Sequence, residues 1–273
     1  MKNLPLVLIT TLGLQVSTAP NGQAQEREKE ITLAYGPFQQ TTLDKQASPL
    51  LYKSHHSNTA TFTFINRTPR SQFHIRLNPG WGSYAPDRFK ARTYGDEDYV
   101  YSITPTLYVL NLKIGYLRKF NKPHKPNFLA GAELAENLFI SDQIANTYWA
   151  TSIASLNLIG QRAFKISNRQ KITAQVSMPV IAAVSRFNYA NFPKSTDGSN
   201  FVEFFRQGTE LVSMNKLQQI NLEARYSYSL SQRFQVGLNY QFSWLHYPEP
   251  RTIRTYSQAL LFQTSYRFKF REA

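Results

Sequence analysis

Apolar and polar side chains alternate along most of the chain, most clearly near its C-terminal end. Between residues 234 and 244 every even position is apolar or aromatic, and every odd position is polar or glycine. A similar alternation returns between residues 256 and 270. A period of two predicts β-strands, because successive side chains of a strand point to opposite faces of the sheet. Aromatic residues lie at both ends of the apolar face and aliphatic residues between them, which is typical of a face in contact with lipid.

The same period predicts about ten strands, with twelve as the alternative count. The predicted strands cover residues 31–38, 52–66, 73–81, 99–120, 128–134, 148–165, 171–189, 220–228, 234–244 and 256–270. Two details are irregular. The sixth strand has Ile153 and Ile159 opposite its apolar face of Ala154, Leu156 and Leu158, and residues 201–217 could form a short helix.

Short and long connections alternate along the chain. The short, turn-like ones are residues 66–70, 121–126, 167–170 and 229–232, and the longer ones are 39–51, 85–98, 141–147, 190–216 and 247–255. Bacterial barrels combine an even number of strands with short turns at one end and long loops at the other. The sequence therefore predicts an all-β fold, a transmembrane antiparallel up-and-down β-barrel with long external loops.

The N-terminal residues are expected to direct export. Lys2 is followed by an apolar stretch over residues 4–16, which is too short to span a bilayer, and small residues occupy Gly22 and Ala24. We expect residues 1–24 to be a signal peptide, cleaved after Ala24, and residues 25–273 to form one outer-membrane β-barrel domain.

The composition of the chain excludes several kinds of site and argues against nucleic-acid binding. The chain has no cysteine, which excludes disulfides, thiolate metal sites and a lipid anchor attached through cysteine. The formal net charge is +14, but the basic residues follow no nucleic-acid-binding motif, so a basic surface near anionic lipid is the better interpretation. A mean hydropathy of −0.40 agrees with a barrel, since polar lumen positions alternate with apolar ones.

Aromatic residues form two predicted girdles, one near the short turns and one near the long loops. Phe128 and Phe234 belong to the first, and Trp81 and Trp244 to the second. At this point the mature chain resembles the Gram-negative outer-membrane β-barrel proteins. That resemblance implies a C-terminal assembly signal, with these residues: Tyr266, Phe268 and Phe270. It also implies contact with outer-membrane lipid, lipopolysaccharide and the barrel-assembly machinery, and no nucleic-acid partner. An external partner of the loops stays unidentified.

One stretch resembles a catalytic motif. Outer-membrane acyl hydrolases pair a histidine with a serine two residues later, followed by asparagine, as in His55, Ser57 and Asn58. The pair would face the lumen if it kept the phase of Phe62, whereas those enzymes turn it toward lipid. A lipid acyl hydrolase using His55 and Ser57 is therefore the alternative hypothesis.

The omptin proteases also have ten strands. Asp96 and Asp98 form an acidic pair in a predicted loop, and Glu249 lies three residues after His246, but no aspartate accompanies that histidine. A solvated acidic loop is the better interpretation, and weak binding of a divalent cation is the functional alternative. No cofactor or metal site is predicted.

The last candidate site is the lumen. Its predicted charged lining is His74, Arg76, Lys113, Glu133, Glu223, Arg225 and Arg267. Charges enclosed in a narrow barrel need partners, which favours a plug stabilised by ion pairs over an open bore. The leading hypothesis is a non-enzymatic envelope protein, either a narrow porin-like conduit for small solutes or a plugged structural or surface-binding barrel.

Overall fold

The computed structural model describes residues 26–86, 105–122, 125–144, 147–186, 204–205 and 209–271. These residues form eleven strands: β1 (Glu26–Asp44), β2 (Leu51–Arg67), β3 (Ser71–Pro86), β4 (Thr106–Lys122), β5 (Lys125–Ile144), β6 (Thr147–Lys165), β7 (Gln170–Arg186), β8 (Thr209–Ser213), β9 (Gln218–Ser229), β10 (Phe234–Tyr247) and β11 (Ile253–Arg271). Among the described residues, no helix is long and apolar enough to cross a membrane.

Ten of these strands close into an antiparallel barrel. Each pairs with its neighbour along the chain, and β1 pairs with β11 from Glu26–Arg271 to Asp44–Ile253. The short strand β8 is additional. It pairs with the second half of β7, and β9 pairs with the first half. The predicted fold and its ten strands are confirmed. Closure matters because it gives backbone groups a partner within the wall, which a strand crossing hydrocarbon requires.

The outer wall between the two girdles is apolar. Four large apolar side chains on this wall are each more than half exposed: Leu33, Leu134, Leu158 and Phe262. In a water-soluble protein, side chains of this type are usually buried. The positions between them are buried and polar, such as Thr63, which is fully enclosed. The predicted phase, apolar outward and polar inward, is therefore confirmed for this part of the barrel.

Toward the long loops the inward face becomes partly apolar, beside polar residues such as Thr42 and Thr255. The inward positions there carry an apolar core: Ala34, Phe38, Tyr52, Tyr84, Leu107, Val109, Trp149, Ile153, Ala182, Val184, Val212, Leu217, Leu245, Tyr247, Ile253, Ala259 and Leu261. Outward positions at the same end are polar, as at His55 and Arg254. The expectation of a polar lumen face along every strand is wrong here. A wall that has left the hydrocarbon faces water, so its interior can hold an ordinary apolar core.

Several strands are longer than predicted. β1 continues to Asp44 although residues 39–51 were expected to be loop, and β5 and β6 fill most of the expected loop 141–147. The alternating signal fades there because the outward residues Gln39 and Thr41 are polar, like the buried inward residues Gln40 and Thr42. Pairing persists because a ladder of backbone hydrogen bonds does not depend on apolar side chains.

The remaining differences concern β6 and the region before β9. Ile153 and Ile159 are buried inward while Leu156 and Leu158 are exposed outward, so the irregular pattern reflects two apolar faces. Residues 209–213 form β8, where a helix was predicted. Residues 99–104 and 187–189, assigned to strands in the sequence, lie outside the described residues.

Candidate functional site in the barrel interior

A cluster of three charged side chains crosses the middle of the lumen. Arg76 Nη1 on β3 donates to Glu223 Oε2 on β9 over 2.5 Å, and Arg225 Nη2 donates to the other oxygen of Glu223 over 2.9 Å. Arg76 and Glu223 come from opposite parts of the wall, since their strands are not neighbours in the sheet. This cluster therefore ties two sides of the barrel together across its interior.

A second cluster lies beside it around Glu133. Glu133 on β5 is enclosed, with His74 Nε2 at 3.0 Å, Lys113 Nζ at 3.9 Å and Asn157 Nδ2 at 3.4 Å from its oxygens. His74 lies directly over Gly115, where a Cβ would overlap the imidazole ring. The glycine on β4 thus leaves the space that the histidine fills.

A third cluster closes the short-turn side of the lumen. Arg67 Nη1 donates to Glu30 Oε2 over 2.6 Å and to Glu28 Oε1 over 2.9 Å, and Arg267 Nε donates to Glu30 Oε2 over 3.2 Å. The lumen charges predicted from the sequence all occur in these three clusters. Glu30 and Arg67 were missed because they stand at the ends of predicted elements. Counting by two from Thr32 and Thr63 would have placed both inward.

A fourth polar centre sits at the long-loop end. Asp44 accepts a hydrogen bond from Trp149 Nε1 over 2.8 Å and one from Arg186 Nη2 over 2.5 Å. Arg186 Nη1 also donates to the carbonyl oxygens of Glu249 and Arg251. This centre joins the ends of β1, β6 and β7 to the connection between β10 and β11. No periodic signal in the sequence marks it, because its members are distant along the chain.

The region between β8 and β9 is held by a smaller polar group. Lys216 Nζ lies 2.7 Å from Glu249 Oε2 and 3.2 Å from Glu210 Oε1, and Tyr247 donates its hydroxyl to Glu210. Hydrogen bonds to Glu249 and Glu210 raise the pKa of Lys216 above its ordinary value. The lysine therefore stays cationic at neutral pH and fixes the extra strand to the end of β10.

Two cavities lie among these groups. The one beneath the apolar core has a volume of about 100 Å³ and is lined mainly by amides and hydroxyls, among them Asn78 and Gln241. The other, of about 20 Å³, lies between the Arg76 and Arg67 clusters. A polar cavity needs about 10–15 Å³ to hold one water, so both spaces can hold water.

The candidate acyl-hydrolase pair is not assembled. Ser57 points inward and is 5 % exposed, whereas His55 is exposed on the outer wall. His56, with φ of 48°, lies between them at an irregularity in the β2–β3 register. This β-bulge inserts a residue and shifts the phase, so residues two apart no longer share a face. Ser57 Oγ donates to the backbone carbonyl of His55, not to its ring.

The omptin-like acidic pattern is not assembled by the described residues either. His246 is on the outer side of β10, where its Nδ1 accepts from Arg254 Nε over 3.2 Å, while Glu249 binds Lys216. Asp96 and Asp98 lie outside the described residues. Within the described ranges, no group of three histidine and acidic side chains has the spacing of a metal site.

The candidate assembly signal lies on the outer wall of β11. Tyr266 and Phe268 are each more than one-third exposed, and their rings meet edge to face at a centroid distance of 4.7 Å. The Phe270 side chain is outside the described set. The exposed rings fit a membrane-facing strand end, and recognition by the assembly machinery stays a prediction.

Comparison with known proteins finds likeness in architecture alone. No protein-family model and no curated protein sequence matches the chain. The outer-membrane protease OmpT of Escherichia coli superimposes with a TM-score of 0.52 over 90% of this chain and 99% of that one, at 8% identity. A TodX mutant described as a monoaromatic hydrocarbon channel covers 92% and 91% of the two chains, at 9% identity and a TM-score of 0.35.

The translocator domain of the autotransporter NalP from Neisseria meningitidis superimposes with a TM-score of 0.33 over 91% of this chain and 90% of that one, at 10% identity. The neighbours are thus Gram-negative outer-membrane β-barrels of differing activities. At this identity the likeness to OmpT shows the fold, and function has to be argued from the interior of this chain.

Proposed function

We propose that this outer-membrane β-barrel is a plugged, non-enzymatic envelope protein, whose closed wall supports a rigid long-loop end for structural or surface-binding use. The observation that carries the proposal is the apolar core inside the long-loop half. Leu107, Leu245 and Leu261 are almost fully buried there. A path for solutes would need water at this level, and tightly packed apolar side chains exclude it.

The polar half of the lumen supports the same proposal. The Arg76, Glu133 and Arg67 clusters fill successive levels, and the spaces above and between them have volumes of about 100 Å³ and 20 Å³. Oppositely charged groups that satisfy one another in this way stabilise a filled interior. A conducting lumen would instead leave its charges facing a continuous water column.

The non-enzymatic part of the proposal rests on the geometry around Ser57. A serine nucleophile needs a base within hydrogen-bond reach, and the neighbouring His55 is on the other side of the wall. Gly82 packs directly against Ser57, and a Cβ at that position would overlap its hydroxyl. Little room is left for a substrate carbonyl at this hydroxyl.

The location follows from the class and from the outer wall. With export by residues 1–24 and insertion by the barrel-assembly machinery, the short turns would face the periplasm and the long loops the exterior. The outer face would meet lipid and lipopolysaccharide, and the loops an external partner.

Planar-bilayer recording tests the plug directly. We expect no stepwise conductance from the purified protein, and none from Lys113→Gln, since the apolar core remains closed above this charge. Stepwise conductance by the wild type, with an ion selectivity that changes in Lys113→Gln, would reject the plug. It would favour the second candidate, a narrow conduit, which the amide-lined cavity of about 100 Å³ supports.

A further inference from the structure

The short-turn mouth of the barrel holds a cavity that the plug does not use. Its volume is about 400 Å³, several times that of the cavity beneath the apolar core. Its wall comes from the β2–β3 turn, β4, the β6–β7 hairpin, β10 and β11. We call it the basic vestibule, because its charged lining consists of Arg67, Lys119, Lys165, Arg169, Lys171 and Arg267.

The charge of the basic vestibule is poorly balanced. Six cationic side chains line it and no carboxylate does. Glu28 and Glu30 pair with Arg67 and Arg267, so these two cations are compensated. Within the described part of the chain, the structure shows no ion pair for the other four cations.

The cations converge because of strand register. Lys165 and Lys171 form the first residue pair of the β6–β7 hairpin. Lys119 and Gln161 line the same cavity. Closing the barrel brings these ends around one opening. Like charges gathered around one opening repel one another, so an anion shared by several of them would stabilise the arrangement.

We propose that the basic vestibule binds a small multivalent phosphate-bearing anion that enters from the short-turn side. Phosphate offers several strong acceptor oxygens, which match a ring of ammonium and guanidinium donors. Ser229 and Gln235 add neutral polar groups to the lining. The cavity is large enough for a pyrophosphate-sized anion and opens to the aqueous end of the lumen.

The outer wall supplies a matched control. Arg118 and Arg162 are exposed on the outside of the same end, and Arg162 lies 4.8 Å from the centre of the Phe164 ring. Two double variants therefore remove the same charge from the same end: Lys119→Gln with Lys171→Gln inside, and Arg118→Gln with Arg162→Gln outside. Unboiled gel mobility of both variants verifies the folded barrel before binding is measured.

The test is calorimetric titration of the protein with pyrophosphate in zwitterionic detergent at low salt. We expect the wild type and the outer-wall variant to bind with affinities within about twofold. We expect the vestibule variant to bind about tenfold more weakly or worse, since charge-assisted hydrogen bonds are lost. Equal weakening in both variants, or no binding by the wild type, would overturn the proposal.

A second arm separates a soluble anion from a lipid headgroup. Titration is repeated in phosphatidylcholine nanodiscs with and without phosphatidylglycerol. Unchanged pyrophosphate affinity supports a soluble ligand. Competition by phosphatidylglycerol that disappears in the vestibule variant would place a headgroup there and overturn the assignment. Because conductance is not measured, the outcome is independent of the plug proposed above.

Discussion

At the scale of single residues, the cluster around Glu133 depends on the space left by a glycine, which has no side chain. His74 reaches Glu133 because Gly115 on the neighbouring strand has no Cβ to block the imidazole ring. Both partners of this hydrogen bond are at most 3 % exposed, so moving the ring would leave a buried carboxylate with fewer donors. The glycine is therefore a packing requirement rather than a flexible point.

Gly115→Ala is predicted to destabilise the barrel by about 1–3 kcal/mol, because the added methyl group overpacks the site and displaces His74. Gly160→Ala is the matched control, since a Cβ there would lie at an ordinary 3.6 Å from Phe128. Urea unfolding of both variants in detergent micelles measures the difference. Equal stabilities would show that His74 can adopt another side-chain conformation without loss of stability.

Glu136 is an exception on the outer wall. It pairs with Leu112 of β4, which lies midway between Tyr108 and Tyr116 on that strand. Its carboxylate accepts a hydrogen bond from Ser152 over 2.6 Å. It lines an apolar groove on the outside of the barrel with residues such as Leu134. A carboxylate at this height destabilises a lipid-facing surface.

Glu136→Gln is predicted to raise the free energy of unfolding by about 1 kcal/mol, because it removes the charge and keeps an acceptor for Ser152. Reversible unfolding in lipid vesicles measures it. A loss of stability would instead mean that the carboxylate is compensated by water or by a bound molecule.

At the scale of elements, strand β10 changes the chemistry of its inward face along its length. In the first half of β10 the buried inward residues include Gln235 and Asn239, and at its end they are Leu245 and Tyr247. Its outward positions change in the opposite sense, from Leu238 to His246. One strand thus crosses hydrocarbon in its lower part and covers an apolar core in its upper part.

Leu245→Ala is predicted to lower the free energy of unfolding by about 2–5 kcal/mol, because it opens a cavity in the core. Leu238→Ala on the outer face of the same strand should lower it by no more than about 1 kcal/mol, since lipid can fill the gap. Folding titrations of the two variants compare them. A reversed order would contradict the assignment of the two faces.

At the scale of the whole molecule, the long-loop end is fastened by one carboxylate. Asp44 binds Trp149 and Arg186, and Arg186 in turn binds the backbone of the connection after β10. These contacts join parts of the barrel that no strand pairing connects. The end of the barrel therefore behaves as one body rather than as separate hairpins.

Asp44→Ala is predicted to destabilise the folded protein by about 3–5 kcal/mol, because it leaves the buried Arg186 without its anion. Asp44→Asn should have a smaller effect, since its amide oxygen can still accept from Trp149. The temperature at which the compact unboiled gel band disappears ranks the variants. If Asp44→Ala retains the wild-type temperature, the centre has no fastening role.

Much of the candidate site could be predicted once the strands were known. His74, Arg76 and Glu223 all fall on the polar phase, so alternation placed them in the lumen. Their partners could not be predicted, because pairing across the lumen depends on how strands distant in sequence are arranged around the barrel. The His55 and Ser57 pairing failed for a local reason, a bulge that alternation does not reveal.

The sequence by itself determined the barrel, because a period of two with an apolar outer face has few other stable arrangements. The alternation of short and long connections determined which ends of the strands lie together. Only the tertiary structure decided which charged side chains meet inside the lumen, since that depends on how strands distant in sequence are placed around the axis. It also decided where along the strands apolar side chains turn inward. Near the long loops an apolar residue can mark the interior, whereas nearer the short turns it marks the lipid-facing surface.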